Sequence, residues 1–370
     1  MIYLDYNATT PVDPEVANEM RPFLDQYFGN PSSSHEYGLI TKAAIEDARR
    51  KIAKMINAQA SEIIFTSGGT ESNNYALKGI AFAHQEKGNH IITSSVEHPA
   101  IIEVCKYLEK HGFEVTYLPV DDYGIIDIKV LERSITDKTI LITVMHANNE
   151  VGSIQPIKEI GALAEKHQIA FHSDAAQSIG KVKVDVQDMK LDLLSIAGHK
   201  LYAPKGIGAL YIRKGTVLEK QIHGADHEQN RRAGTENVLE IVGLGKAAAL
   251  ISQNLEVYQT QYAQKRDLLY TLLKEAFPNI KRNGHPEHCL PNTLSISFPN
   301  TEANVLISKL KNVAVSAGAA CHSEGVDVSA VLKAMAIPLE FAMGTIRFST
   351  GRTTSDKDIK NTVSEIVKAL

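Results

Sequence analysis

Between residues 62 and 212 the chain repeats one pattern: a short, mostly apolar run followed by a longer stretch. The runs are Glu62–Phe65, His90–Ser94, Glu114–Pro119, Thr139–Met145, Ile169–His172, Leu191–Ile196 and Gly208–Ile212. Strands covered by helices on both faces need apolar side chains on both faces. The stretches Thr41–Met55, Glu71–Ala83, Ala100–Lys110 and Pro156–Lys166 carry the helical spacing that would cover them. Such alternation predicts an α/β domain with a mostly parallel seven-stranded sheet. From Leu250 to Phe277 there is no glycine or proline, and the spacing predicts a long charged helix. Beyond it, Thr293–Phe298, Ala303–Leu310, Thr345–Ser349 and Asp356–Leu370 predict a smaller α+β domain. A chain of 370 residues has the length of two such units. The expected division is a large domain over 13–258 and a small one built from 1–12 and 259–370.

Composition narrows the function. The 39 Lys and Arg against 43 Asp and Glu give a net charge of −4, which argues against nucleic-acid binding by bulk electrostatics. With no run of 18 apolar residues, no membrane span is expected. The start, MIYLDYNATT, lacks the basic and apolar segments of a signal peptide, so a cytoplasmic location is expected. The three cysteines, Cys105, Cys289 and Cys321, form no C-x-x-C pair, and an odd number argues against a disulfide framework. A reducing compartment fits that usage. Their neighbours His285, His288 and His322 show no paired-ligand spacing, so no metal is expected.

Three motifs lie at predicted strand ends. Thr66-Ser-Gly-Gly-Thr70-Glu follows one strand and opens a helix, where free N–H groups and the helix dipole suit a phosphate. Alone it is equally a glycine turn with Thr70 as N-cap. His172-Ser-Asp174-Ala-Ala-Gln177 places a carboxylate where ligands sit in open α/β sheets. It can hold a pyridine nitrogen protonated, or simply cap a helix. Lys200, in Gly-His199-Lys200-Leu-Tyr-Ala-Pro-Lys-Gly, is a candidate Schiff-base lysine, with Lys205 as its rival and a solvated loop lysine as the bland alternative. Together the three supply what a pyridoxal phosphate enzyme needs.

The motifs YLDYNATTPVDPEV, FGNPSSSHEYG, FTSGGTESNN, TSSVEHPA, HANNEVGSIQP, HSDAAQSIGK, GHKLYAPKGIGALYIR, RRAGTENV, SAGAACHS and IRFSTGR run along nearly the whole chain. In them the sequence resembles the cysteine desulfurases, fold-type I pyridoxal phosphate enzymes of the class V aminotransferase group. The resemblance implies that Lys200 bonds the cofactor and shuttles protons, and that Asp174 pairs with the ring nitrogen. It implies that Gln177 meets the ring's phenolic oxygen and that His98 stacks on the ring. Gly69, Thr70 and His199 would hold the phosphate, and Thr235 would reach the phosphate in a neighbouring subunit of a homodimer. Asn149 and Arg347 would bind the substrate carboxylate, Arg347 by a two-pronged contact. Cys321 would take sulfur from L-cysteine as a persulfide, leave L-alanine, and pass the sulfur to an acceptor protein, an iron–sulfur scaffold or a thiolation enzyme. On residue type alone, His98 is also a helix-entry residue and Arg347 a surface strand residue. A free cysteine such as Cys105 is often a small core residue.

Two departures stand out. Ala197 occupies a position where the family usually has a phosphate-binding serine, a loss worth about 1.5–3 kcal/mol if unreplaced. The cysteine loop reads Ala-Ala-Cys-His-Ser instead of Ser-Ala-Cys-Thr-Ser. Both resemble selenocysteine lyases, which makes release of selenium from L-selenocysteine the closest alternative. A sulfur-delivery module with incidental turnover, an aminotransferase, and a cofactor-free scaffold are further alternatives. The usual glycine run before RRAGTENV is reduced to His223-Gly-Ala-Asp-His227, a change without physical explanation in the sequence.

Overall fold

The computed structural model describes residues 1–322 and 325–370, with the backbone alone over 319–322 and 325–327. In chain order its main elements are α1 (Pro14–Met20), α2 (Glu36–Met55), β1 (Ile63–Thr66), α3 (Gly69–Ala83), β2 (His90–Ser94), α4 (Pro99–Glu109), β3 (Glu114–Leu118), α5 (Ile128–Ser134), β4 (Thr139–Thr143), α6 (Ile157–His167), β5 (Ala170–Asp174), β6 (Leu193–Ala197) and β7 (Gly208–Ile212). There follow α7 (Val238–Ala276), β8 (Lys281–Asn283), β9 (Thr293–Ser297), α8 (Ala303–Lys309), β10 (Ser316–Ala317), β11 (Ala319–His322), β12 (Gly325–Val328), β13 (Thr345–Ser349) and α9 (Asp356–Ala369).

The seven strands β1–β7 form one sheet in the order β1-β7-β6-β5-β4-β2-β3. Only β7 runs against its neighbours, so the sheet is mostly parallel, as the apolar runs predict. One face packs under α2, α6 and the first half of α7, where Ile52, Ile160, Leu244 and Ile251 are buried. The other packs under α3 and α4, with Leu77, Ile80 and Leu108. A second, antiparallel sheet, β10-β13-β9-β8, shares a separate core with α8, α9, Leu4 and the end of α7 (Leu269, Leu273).

The structure moves several boundaries. β5 continues to Asp174, so that carboxylate ends the strand and does not follow it. Glu62 belongs to a short 3-10 turn before β1. Helices α1 and α5 have no counterpart in the sequence reading. Helix α7 is 39 residues long and begins at Val238, well before Leu250. Its glycines are the reason. A Cβ on Gly245 would lie 2.6 Å from the Ala48 Cα of α2, and one on Gly243 would lie 2.7 Å from Met20 Sδ. They permit close helix crossing here and do not break the helix. This stretch of α7 has a mean hydropathy of 1.2, high enough for a membrane span by composition, and half of it is buried inside the protein.

His172 on β5 is fully buried and joins three strands, with Nδ1 2.8 Å from Thr143 Oγ1 on β4 and Nε2 3.0 Å from Ser195 Oγ on β6. Burial holds its imidazole down near a pKa of about 3. Because the folded value lies below the unfolded one, its contribution is complete above about pH 6.5 and is lost as pH falls toward 3. The His172→Gln variant keeps hydrogen-bonding capacity without this titration. Urea unfolding between pH 7 and pH 5 should therefore show a shallower loss of stability for the variant than for the parent; equal slopes would contradict the assignment.

Candidate active site

Parallel pairing sets the ends of neighbouring strands level. Asp174 at the end of β5 lies opposite Ser195 of β6, and directly after β6 the chain turns through Gly198–Lys200. Ala197 of β6 and Thr66 of β1 both pair with Gly208 of β7. A Cβ at Gly208 would sit 2.7 Å from the Gly68 Cα and 2.5 Å from the Ile196 carbonyl oxygen. Glycine there lets the Ser67-Gly68 turn fold over the sheet end. Gly68 itself has φ +152°, a conformation glycine favours, and it starts α3 without a side-chain cap. The first-turn N–H groups of α3 therefore face the same sheet end.

Above these strand ends lies a cavity of about 320 Å³. Its lining includes Gly69, Thr70, His98, Asn149, Asp174, Gln177, His199, Lys200 and Arg347, every expected cofactor or substrate residue except Thr235 and Cys321. Thr235 is exposed on the loop before α7 and lines a separate cleft with Ser67 and Arg232. The backbone of Cys321 pairs with Val326 in the β11–β12 hairpin; its side chain lies outside the described residues.

The chemistry of the cavity follows from its buried charges. Asp174 is buried and makes no ion pair among the described residues. Its oxygens accept hydrogen bonds from Asn73 Nδ2 at 2.7 Å and the Ala176 amide at 2.9 Å. A carboxylate held this way can still accept a proton or an N–H from a cationic ring. The Lys200 amine donates to the Asn7 and Ala8 carbonyls. Burial, reinforced by Arg347, lowers its pKa to about 8, against the opposing pull of Asp174 and Asp5. A free amine is therefore available near neutrality, as bonding to a carbonyl group requires. His98 caps α4, with Nδ1 accepting from the Ala100 amide. Burial lowers its pKa, and this bond assigns the neutral ring's proton to Nε2. Burial and the neighbouring lysines lower His199 to about 4.

Arg347 is already engaged. Nη2 donates to Asp5 Oδ1 at 2.7 Å and to Ser316 Oγ, and Nη1 donates to the Asn149 carbonyl. Its Nε is buried without a hydrogen-bond partner among the described residues. A two-pronged contact uses Nη2 together with either Nε or Nη1, so the expected one must displace Asp5 or Ser316 from Nη2. Ala197 lines the cavity next to α3, and a Cβ on Gly69 would come within 3.2 Å of its methyl.

Sequence reasoning missed the residues that arrive from a distance. Asn7 and Ala8 wall the cavity from the chain start, and Asn73 binds Asp174 from α3. Glu97, next to His98 in sequence, is buried, and its Oε1 accepts from Ser94 Oγ and the Met145 amide. Burial raises its carboxyl to about 8. Only the Glu97–His98 adjacency was visible in the sequence. Glu228 accepts both Arg49 Nη groups, at 2.7 and 2.8 Å, and the Phe65 amide. It thus ties the start of the Thr235 loop to α2 and β1. Nothing in the structure explains the reduced glycine run at 223–227.

A pyridoxal phosphate fits this donor set: helix N–H groups and Thr70 for a phosphate, a buried carboxylate with no ion pair among the described residues for a ring nitrogen, and an amine whose pKa is lowered toward neutrality. Comparison with known proteins agrees. Residues 2–362 match the family model for aminotransferase class-V. Proteins named cysteine desulfurase IscS from Dictyoglomus turgidum and Methanosarcina thermophila are each 48% identical over all of this chain, covering 94% and 92% of their lengths. A solved structure titled NifS-like protein superposes with a TM-score of 0.94 at 36% identity, covering 99% of this chain and 98% of that one. Another, a NifS-like protein from Rickettsia africae, gives a TM-score of 0.90 at 32% identity, covering 100% and 99%. The chain belongs to the class-V aminotransferase family, in its cysteine desulfurase branch.

Proposed function

We propose that this protein is a pyridoxal phosphate-dependent cysteine desulfurase. The observation that carries the reading is the meeting of Asp174, Lys200 and the α3 N-terminus in one cavity at level strand ends. When bound, pyridoxal phosphate supplies an electron sink for bond breaking at the amino acid. Around it the chain's own groups divide the work. Asp174 would hold the ring nitrogen's proton, and Lys200 would hold the cofactor and move protons at the substrate Cα. His98, which lines the cavity, would stack on the cofactor ring. Gly69, Thr70 and His199 receive the phosphate, while Asn149 and Arg347 orient the substrate carboxylate.

The sulfur step belongs to Cys321. Its thiolate attacks the sulfur of L-cysteine; the substrate C–S bond breaks, its electron pair passes to carbon, and a proton completes L-alanine. One sulfur remains on Cys321 as a persulfide, for handover to an acceptor protein such as an iron–sulfur scaffold or a thiolation enzyme. The cysteine desulfurase names of the relatives favour sulfur over the selenocysteine alternative. We further read the enzyme as a cytoplasmic homodimer. The exposed apolar residues Leu24, Phe28, Tyr37 and Leu39 lie close together in sequence, and Phe28 packs on Tyr37 at 5.3 Å. Such a patch suits a second copy, which would also give Thr235 a neighbouring site to reach.

Three outcomes are expected. Lys200→Ala should lower alanine formation from L-cysteine by about 10²–10⁴-fold or more, the range for a missing proton-transfer group, and lose the covalent link to the cofactor in a borohydride-trapping mass measurement. Cys321→Ala should still bind cofactor and L-cysteine but form no protein persulfide; a wild-type turnover rate in that variant would refute the sulfur step. Ala197→Ser adds a hydroxyl beside α3 and should tighten cofactor binding about tenfold, as for one hydrogen bond to a charged group. Equilibrium titration of cofactor-free protein reads this directly, and weaker binding would mean that no room exists there.

A further inference from the structure

Lys181 is buried among amides. It follows Gln177 by one turn in the segment after β5, and it does not line the cavity. Its Nζ donates to Gln177 Oε1 at 2.7 Å and to Asn7 Oδ1 at 2.9 Å. It makes no ion pair among the described residues. The charged and titratable groups around it are Lys200, Arg347 and, across a gap of about 10 Å³, Tyr6, Tyr202, Tyr262 and Arg352. None is a carboxylate. Burial, with Lys200 and Arg347, keeps its ammonium pKa well below the ordinary value. A neutral amine has two N–H donors, and the two acceptors here use both.

This arrangement has a directional effect on Gln177. An amide has one oxygen, and here that oxygen is committed to Lys181. The nitrogen side must then turn the other way. One hydrogen of Nε2 goes to the Asn7 carbonyl at 2.9 Å, and the second is left for the cavity that Gln177 lines. The same lysine orients Asn7. The Asn7 Oδ1 accepts from Lys181 and from Asn292 Nδ2, so its Nδ2 donates to the Asn149 carbonyl and to Thr293 Oγ1. The backbone oxygen of Asn7 also accepts from Lys200.

We infer that Lys181 is a positioning residue that locks the Gln177 amide with its N–H, and not its carbonyl oxygen, toward the phenolic oxygen of the bound cofactor. The inference rests on the pyridoxal phosphate reading. A donor in that place stabilises the ionised phenolic oxygen; a flipped amide would set two oxygens against each other. Without Lys181, only the Asn7 carbonyl would hold the amide in this orientation, and Gln177 would be held less firmly.

The test is a pH titration of the absorption of bound pyridoxal phosphate in four holoenzymes: wild type, Lys181→Met, Gln177→Ala and the double variant. Lys181→Met should raise the apparent pKa by about one unit, a tenfold change, and Gln177→Ala should raise it by at least as much. The double variant should match Gln177→Ala alone, because Lys181 acts through that amide. A wild-type titration curve for Lys181→Met overturns the inference. So does full additivity in the double variant, which would mean that Lys181 acts through its field or through packing. Lys181→Gln, which keeps an N–H donor, should stay closer to wild type than Lys181→Met, and it carries the comparison if the methionine variant does not fold. If wild type takes up no pyridoxal phosphate at all, both this inference and the reading beneath it fail; if it does and only the lysine variants leave the curve unmoved, the cofactor reading stands.

Discussion

Everything at the site depends on the parallel pairing of β5 with β6, which places Asp174 opposite Ser195. A slip of one residue would turn the Asp174 side chain to the other sheet face. Apolar side chains on both faces of these strands, and His172 bridging β4 to β6, hold that pairing. The antiparallel β7 then brings the start of α3 to the same level, because Gly208 pairs with both Ala197 and Thr66. These stretches of sequence converge with positive φ at Gly68 and, in the turn from β6 to β7, at Tyr202 and Gly206.

The electrostatics of the cavity region are unbalanced by design of the fold. Lys200 and Arg347 line it and Lys181 lies behind it, while Asp5 pairs with Arg347 and Asp174 pairs with neutral donors. Burial makes each ammonium costly, and the cations raise that cost for one another. A ligand carrying phosphate and carboxylate groups would relieve this strain. The same physics keeps Lys200 close to losing its proton. Affinity for an anion and reactivity of the amine are thus two results of one cause.

Asp174 and Lys200 were legible in the sequence because each lies at the end of an apolar run, and local pattern locates strand ends. The sheet was legible for the same reason. Asn7, Ala8 and Asn73 were not, because nothing local marks a side chain or carbonyl whose partner lies a hundred or more positions away. The early start of α7 was obscured by Gly243 and Gly245: in sequence a glycine signals a break, and only the packed Ala48 and Met20 reveal a close crossing. The Arg49–Glu228 pair was hidden in the same way, since its partners are 179 residues apart. The amide orientation of Gln177 could not be read at all, because it depends on which neighbour claims the oxygen.

Helix α7 contributes Ile241, Leu244 and Ile251 to the core beneath the seven-stranded sheet and Leu269 and Leu273 to the core of the second sheet. One unbroken rod, about 58 Å long at 1.5 Å per residue, therefore belongs to both cores. Melting either core would strip one end of the rod and leave its apolar face in water. The two halves of the molecule are consequently joined thermodynamically as well as covalently: heat or denaturant acting on one is felt by the other, and the chain gains cooperativity that a flexible connector would not provide.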